Sequence, residues 1–213
     1  MHRFPEQLLT GYANFMSGRY SREEKRYREL AREGQSPTAL VIACSDSRSA
    51  PETIFDAGPG ELFVVRNIAN LVPPYQPDAN LHGTSSAMEF AIRELEVPHV
   101  VVMGHGRCGG IHAALNPKSA RVAEWDFLGN WLKLLAPVAA EVGGYTTMTE
   151  GEKRTALERI SIRHSIVNLR TFPFIKAAED AGKLTLHGAW FDISNGELWV
   201  MDTDSGDFAR PEY

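Results

Sequence analysis

Three short stretches, TALVIAC at 38–44, ELFVVRN at 61–67 and HVVVMG at 99–104, are almost continuously apolar and rich in Val and Ile. Each runs into a polar or glycine-containing turn. A strand with one face in water alternates polar and apolar residues. A run without alternation is covered on both faces, the mark of a parallel sheet with helices on each side. Parallel strands need long crossovers, and 213 residues supply them for one such domain but hardly for two.

The first 34 residues read as helical. Pro5 suits a first turn, and Leu8, Leu9, Tyr12, Phe15 and Met16 share one apolar face. Ser21 with Glu24 forms a capping box ahead of KRYRELARE, which Gly34 ends. That second helix is polar on most sides, so it belongs on the surface or against a partner subunit. Residues 84–96, with Thr84 as cap, 123–142 and 152–181 read as further helices, the last broken near Pro173. KLTLHGAWFDI and ELWVMDT, joined by Asn195-Gly196, read as an antiparallel pair. The fold class expected is α/β: a mostly parallel β-sheet flanked by helices, with N-terminal helical arms and an antiparallel C-terminal strand pair.

Charge narrows the partners. With 22 basic against 27 acidic residues the net charge is −5, which offers no footprint for nucleic acid. No Lys/Arg block suggests a membrane surface, and no apolar run approaches the roughly 18 residues of a membrane-spanning helix. MHRFPEQLLTGYANFMSG lacks the apolar core of a signal peptide, so a cytoplasmic location is expected. Thiols stay reduced there, and the two cysteines, Cys44 and Cys108, are read as ligands or nucleophiles rather than a disulfide.

HVVVMGHGRCGG at 99–110 supports two readings. Gly104, Gly106 and Gly109 spell the G-x-G-x-x-G of a dinucleotide-binding turn. That turn needs an acid about 20 positions on, at the end of the next strand. Asp126 has the spacing, but PKSARVAEWDF before it is not a strand. The metal reading fares better. His105 and Cys108 lie three residues apart, and Cys44 ends its own strand as Cys108 lies just beyond another. Parallel strands release their chains on one edge of a sheet, so these turns meet in a Cys₂His set. Three protein ligands and one open position is the catalytic zinc pattern, and thiolates favour zinc over magnesium or calcium. Gly104 and Gly106 are read here as tight-turn residues, Gly109 and Gly110 as space beside the metal.

Cys44-Ser45-Asp46-Ser47-Arg48 puts an acid and an arginine beside the first thiolate. CSDSR, ELFVVRNIANLVPPY and GHGRCGG together resemble the β-class carbonic anhydrases, and the similarity spans most of the chain. The resemblance implies one domain over 1–213 with 1–34 as the helical arm. It also implies Zn²⁺ on Cys44, His105 and Cys108, and an Asp46–Arg48 catalytic dyad. The reaction implied is reversible hydration of carbon dioxide to bicarbonate and a proton. Family positions lining the substrate pocket match Gln35, Phe63, Ile68, Phe90 and Gly109; the family usually has tyrosine where this chain has Phe90 and often valine where it has Ile68. In relatives the glutamine comes from a neighbouring subunit, which implies a homodimer or homotetramer.

In some family members the aspartate leaves its arginine at low pH and closes the zinc site, so Asp46 is also a conditional ligand. Some bacterial relatives favour that closed form through a bicarbonate pocket built on tryptophan, arginine and tyrosine. Here those positions hold Val41, Arg66 and Phe191, which removes two of the three donors. VPPY at 72–75 resembles the plant-like branch, whose members keep the zinc open. Two other functions stay in view: hydrolysis of another small heteroallene such as carbon disulfide or carbonyl sulfide, and a non-catalytic zinc-binding regulatory protein.

Overall fold

The three apolar runs form the centre of the sheet. β1 (Ala39–Cys44), β2 (Leu62–Asn67), β3 (His99–His105) and β4 (Thr185–Asp192) are parallel; β5 (Glu197–Met201) and β6 (Phe208–Ala209) finish the sheet antiparallel. The order is β2-β1-β3-β4-β5-β6. The computed structural model describes residues 4–117 and 127–212. β1, central and lacking alternation, is buried along its whole length.

Nine helices are described: α1 (Glu6–Phe15), α2 (Ser21–Glu33), α3 (Pro51–Ile54), α4 (Gly83–Arg93), α5 (Gly109–Leu115), α6 (Leu128–Leu132), α7 (Ala136–Gly144), α8 (Glu150–Leu169) and α9 (Pro173–Asp180). On one face of the sheet Leu40, Ile42, Val100 and Val102 pack with Met88 of α4, Ile162 and Ile166 of α8 and Ile175 of α9. The other face carries Val41, Ala43, Met103 and Ala189, and the one helical side chain in that cluster, among the described residues, is Ile54 of α3. Phe55, Val101, Leu198 and Val200 line an open groove there. A third cluster, built from α5, α7 and Leu157 of α8, closes around Cys44 and Cys108.

Several local readings change. Ser21 and Glu24 form no capping box, because α1 continues through a wide π-type turn, Met16–Tyr20, directly into α2. Tyr20 is itself helical, so no helix start needs capping. The capping box stands instead at Thr149 and Glu152, ahead of α8. Thr84 does not cap α4, which starts at Gly83 and stops at Arg93; its hydroxyl accepts from the Asn67 amide at 3.3 Å. Of the segment 123–142, residues 123–126 lie outside the described residues, as does Asp126, and the rest divides into α6, a single 3₁₀ turn and α7. The long segment 152–181 is interrupted as expected, with Pro173 at the first position of α9. Asn195 and Gly196 close the β4–β5 hairpin, with Gly196 at φ 77°.

Candidate metal centre

β1 and β3 lie side by side, with Ala43 opposite Met103, so both chains leave the sheet on the same edge. β1 ends in Cys44 and β3 in His105, and a turn of Gly106 and Arg107 brings Cys108 back beside them. The left-handed residue of that turn is Arg107, at φ 59°. Gly104 and Gly106 serve another purpose than the tight turn expected of them. A Cβ on Gly104 would lie 2.9 Å from Ile162 Cδ1, and one on Gly106 would lie 3.2 Å from the Trp190 ring. They permit close packing behind the ligands. Gly110 is similarly tight, 2.8 Å from Ile68 Cγ2, whereas Gly109 has nothing within 4 Å.

The Cys44 and Cys108 sulfurs and a His105 ring nitrogen lie within 4.8 Å of one another, all on buried residues. The sulfurs are 3.9 Å apart. Two sulfurs each about 2.3 Å from a tetrahedral ion lie about 3.8 Å apart, so the spacing fits zinc. His105 Nδ1 donates to the Gly106 carbonyl at 2.9 Å, leaving the Nε2 lone pair free. Nε2 is buried without a hydrogen-bond partner. Such an orphaned nitrogen is costly unless something binds it. Ionisation points the same way. The Cys108 sulfur beside it, helped by His105, brings the Cys44 thiol down to about 4. The Cys44 thiolate and burial push Cys108 strongly up. Two thiolates this close need a cation between them. The donor set fits a soft divalent metal.

Beside the cluster, Arg48 grips Asp46 with both arms of its guanidinium, Nε to Oδ1 at 2.9 Å and Nη2 to Oδ2 at 2.7 Å, and its backbone N–H adds a third bond at 3.0 Å. This grip holds the Asp46 carboxyl far below the usual carboxylate range. Asp46 Oδ2 is 3.8 Å from His105 Nε2, so the carboxylate stands at the edge of the ligand set. Arg48 also donates to the Arg107 carbonyl at 3.3 Å, joining the two turns.

Of the expected pocket residues, Phe63 and Phe90 stack with ring centroids 5.8 Å apart, and Ile68 leans on Gly110. Gly109 opens α5. Gln35 does not join them: it is exposed just past α2 and makes no hydrogen bond among the described residues.

Sequence reasoning missed two supports. Glu158 of α8, 2% exposed, accepts the Cys108 N–H at 3.1 Å and the Trp190 indole N–H at 3.2 Å. Its signal was an acid on the stripe shared with Leu157, Ser161 and Ile162, all buried. Arg66 donates to the carbonyls of Cys44 and Asp46, at 2.9 and 2.6 Å, and so fixes the first turn.

A Cys–His–Cys cluster able to hold a metal, at the carboxyl edge of a parallel sheet with an ion-paired acid beside it, is the kind of site a metalloenzyme uses. Comparison with known proteins gives the family. The carbonic anhydrase family model matches residues 39–198. A carbonic anhydrase of Pseudomonas aeruginosa is 34% identical over 201 residues, covering 94% of this chain and 89% of that protein. The β-carbonic anhydrase CcaA superposes with a TM-score of 0.89 at 32% identity, over 98% of this chain and 92% of its own. A tetrameric β-carbonic anhydrase of Sordaria macrospora gives 0.78 at 30%, over 91% and 94%. The chain belongs to the β-class carbonic anhydrase family.

Proposed function

We propose that this chain is a zinc enzyme catalysing the reversible hydration of carbon dioxide to bicarbonate and a proton. Cys44, His105 and Cys108 hold the metal in this reading, and Asp46 and Arg48 are catalytic. The observation that carries it is the ligand cluster with the doubly bonded Asp46–Arg48 pair 3.8 Å from its nitrogen. Holding a metal alone would not require that pair. Zinc, when bound, supplies a Lewis acid that brings the ionisation of water near pH 7.

Asp46, kept ionised by Arg48, accepts the hydrogen bond of the attacking nucleophile and aims its lone pair at the substrate carbon. Because both Asp46 oxygens are engaged by Arg48, the reading is an open fourth position near neutral pH, with Asp46 a ligand only in a closed form at low pH. Phe63, Ile68 and Phe90 offer carbon dioxide an apolar wall, and Gly109 leaves room. Arg66 is spent on two backbone carbonyls, and Val41 and Phe191 bring no donor, which supports the absence of a regulatory bicarbonate pocket.

A homodimer or homotetramer belongs to the same reading. α1 and α2 bury no residue, Phe4, Leu8 and Tyr12 are exposed, and one sheet face is nearly bare of helices. A partner's arm on that face would cover both and carry Gln35 towards a second copy's site. In this reading residues 1–213 form a single domain with 1–34 as its arm. Its interactions are with small molecules and its own copies, with neither nucleic acid nor membrane as a partner: the net charge is −5, and no described helix is long and apolar enough to cross a membrane. Reduced ligand thiols fit the cytoplasm.

Stopped-flow carbon dioxide hydration, with zinc measured on the same sample and carbon disulfide and carbonyl sulfide assayed in parallel, tests the reading. Zinc-loaded protein without hydration activity would overturn it.

A further inference from the structure

Each hydration leaves one proton to remove, and fast turnover needs a titratable group at the mouth of the site to receive it. Ile68 floors a groove of about 500 Å³ with Asn67, Thr84, Phe127 and Trp131. His82 is the described imidazole that lines it. Three other imidazoles are placed differently. His99 and His187 contact each other at 3.2 Å and line the groove on the bare sheet face, and His112 is bonded by Arg154.

We propose that His82 is the proton relay of this enzyme, a role that rests on the hydration reading above. Its Nε2 lies 2.7 Å from Asp78 Oδ1, so Nε2 carries the hydrogen and Nδ1 presents a lone pair. Its backbone is fixed, since its carbonyl accepts the Ser86 N–H and hydroxyl, both at 2.9 Å. Its side chain is 36% exposed and reaches bulk solvent.

The groove adjoins the metal turns on two sides. Ile68 presses on Gly110, two residues past Cys108. Asn67 pairs with Cys44 across the sheet and donates to Thr84, two residues past His82. Three charged groups face the imidazole: Asp78 on its own loop, and Glu89 and Arg93 of α4 across the adjoining cleft. Glu89 and Arg93 pair with each other at 3.3 Å, and Asp78 is the one of the three bonded to the ring.

The proton balance is simple. Over one turnover a water oxygen bonds the carbon of carbon dioxide to give bicarbonate, and the water that replaces it releases one proton. That proton crosses the groove through solvent and bonds Nδ1. The imidazolium then passes it to a buffer base and returns to neutral. No electrons are exchanged.

The test is steady-state hydration by zinc-loaded wild type and His82→Ala, with zinc content measured on both, in dilute and concentrated buffer and with added imidazole. In dilute buffer the variant should lose about tenfold in kcat with kcat/KM unchanged, because proton removal follows the carbon dioxide step. Imidazole or concentrated buffer should restore kcat. Asp78→Asn, which keeps the imidazole, should retain kcat in dilute buffer far better than His82→Ala. Unchanged kcat in dilute buffer, or kcat and kcat/KM falling together without rescue, would overturn the relay alone. Wild type inactive with zinc bound would overturn the hydration reading and the relay with it.

Discussion

Replacing Glu158 by Gln takes one acceptor from a place where two donors point. Both carboxylate oxygens are in use, Oε1 by the Cys108 N–H and Oε2 by the Trp190 indole, and the side chain is 2% exposed. An amide offers a single oxygen, so one buried N–H then faces an NH₂ group. Leaving a buried donor unsatisfied costs about 1–3 kcal/mol. Burial already pushes the Glu158 carboxyl up, so removing its charge returns part of that cost. The net expectation is about 1–2 kcal/mol, and at roughly 2–4 °C per kcal/mol for a chain of this size the midpoint should fall by roughly 2–8 °C. Glu158→Leu strands both donors and should cost roughly twice as much. Thermal unfolding followed by circular dichroism measures the stability, and competition with a chelator measures zinc affinity. Both should fall together, because the same carboxylate holds the peptide of a ligand. A Gln variant equal to wild type in both measurements, or a Leu variant no worse than Gln, would refute the idea that Glu158 holds the metal turn.

Cys44→Ser, His105→Ala and Cys108→Ser should each lose most of the zinc, measured by atomic absorption, since three ligands leave none to spare. Asp46→Ala should keep zinc yet lose about 10²-fold or more in hydration rate by stopped flow. Gly110→Ala should lower stability by about 1–3 kcal/mol, because its Cβ meets Ile68 and Ala69 at 2.8 and 3.1 Å, while Gly109→Ala, with open space around it, should fold normally in denaturant titrations. Burial, with His99 adding, holds the His187 imidazole below its ordinary value of 6.5. The unfolded chain therefore binds a proton that the folded chain refuses. The contribution is intact above 6.5 and lost as pH falls from there through the lower folded value. Thermal midpoints measured across that range should fall less on acidification in His187→Gln than in wild type.

The sheet was legible because buried parallel strands leave an unalternating signature, and β1 carries it without interruption. Cys44, His105 and Cys108 were legible because strand ends place them on one edge whatever the helices do. Interactions that cross the chain left no such local mark. Glu158 meets Cys108 from 50 residues away, and Arg66 reaches carbonyls, which every residue carries. Ala69 and Asn70 adopt left-handed backbone, φ 63° and 50°, in a turn where neither residue type demands it. The Ser21–Glu24 pattern misled because the spacing is meaningful only where a helix begins, and Tyr20 is already inside one. The purpose of Gly104, Gly106 and Gly110 was hidden for the same reason: they answer to Ile162, Trp190 and Ile68, which the local sequence does not contain.

Trp190 is 5% exposed, and its indole N–H ends on the same carboxylate that holds Cys108. The Arg159 guanidinium lies over its ring at 4.7 Å. An indole's emission shifts with the electric field across it, and here charge on both sides sets that field. A metal held by Cys44, His105 and Cys108 would change the charge on the Cys108 sulfur, whose own backbone N–H is bonded to Glu158. The fluorescence of this tryptophan would then report the occupancy of the centre optically, with no label attached and no substrate added.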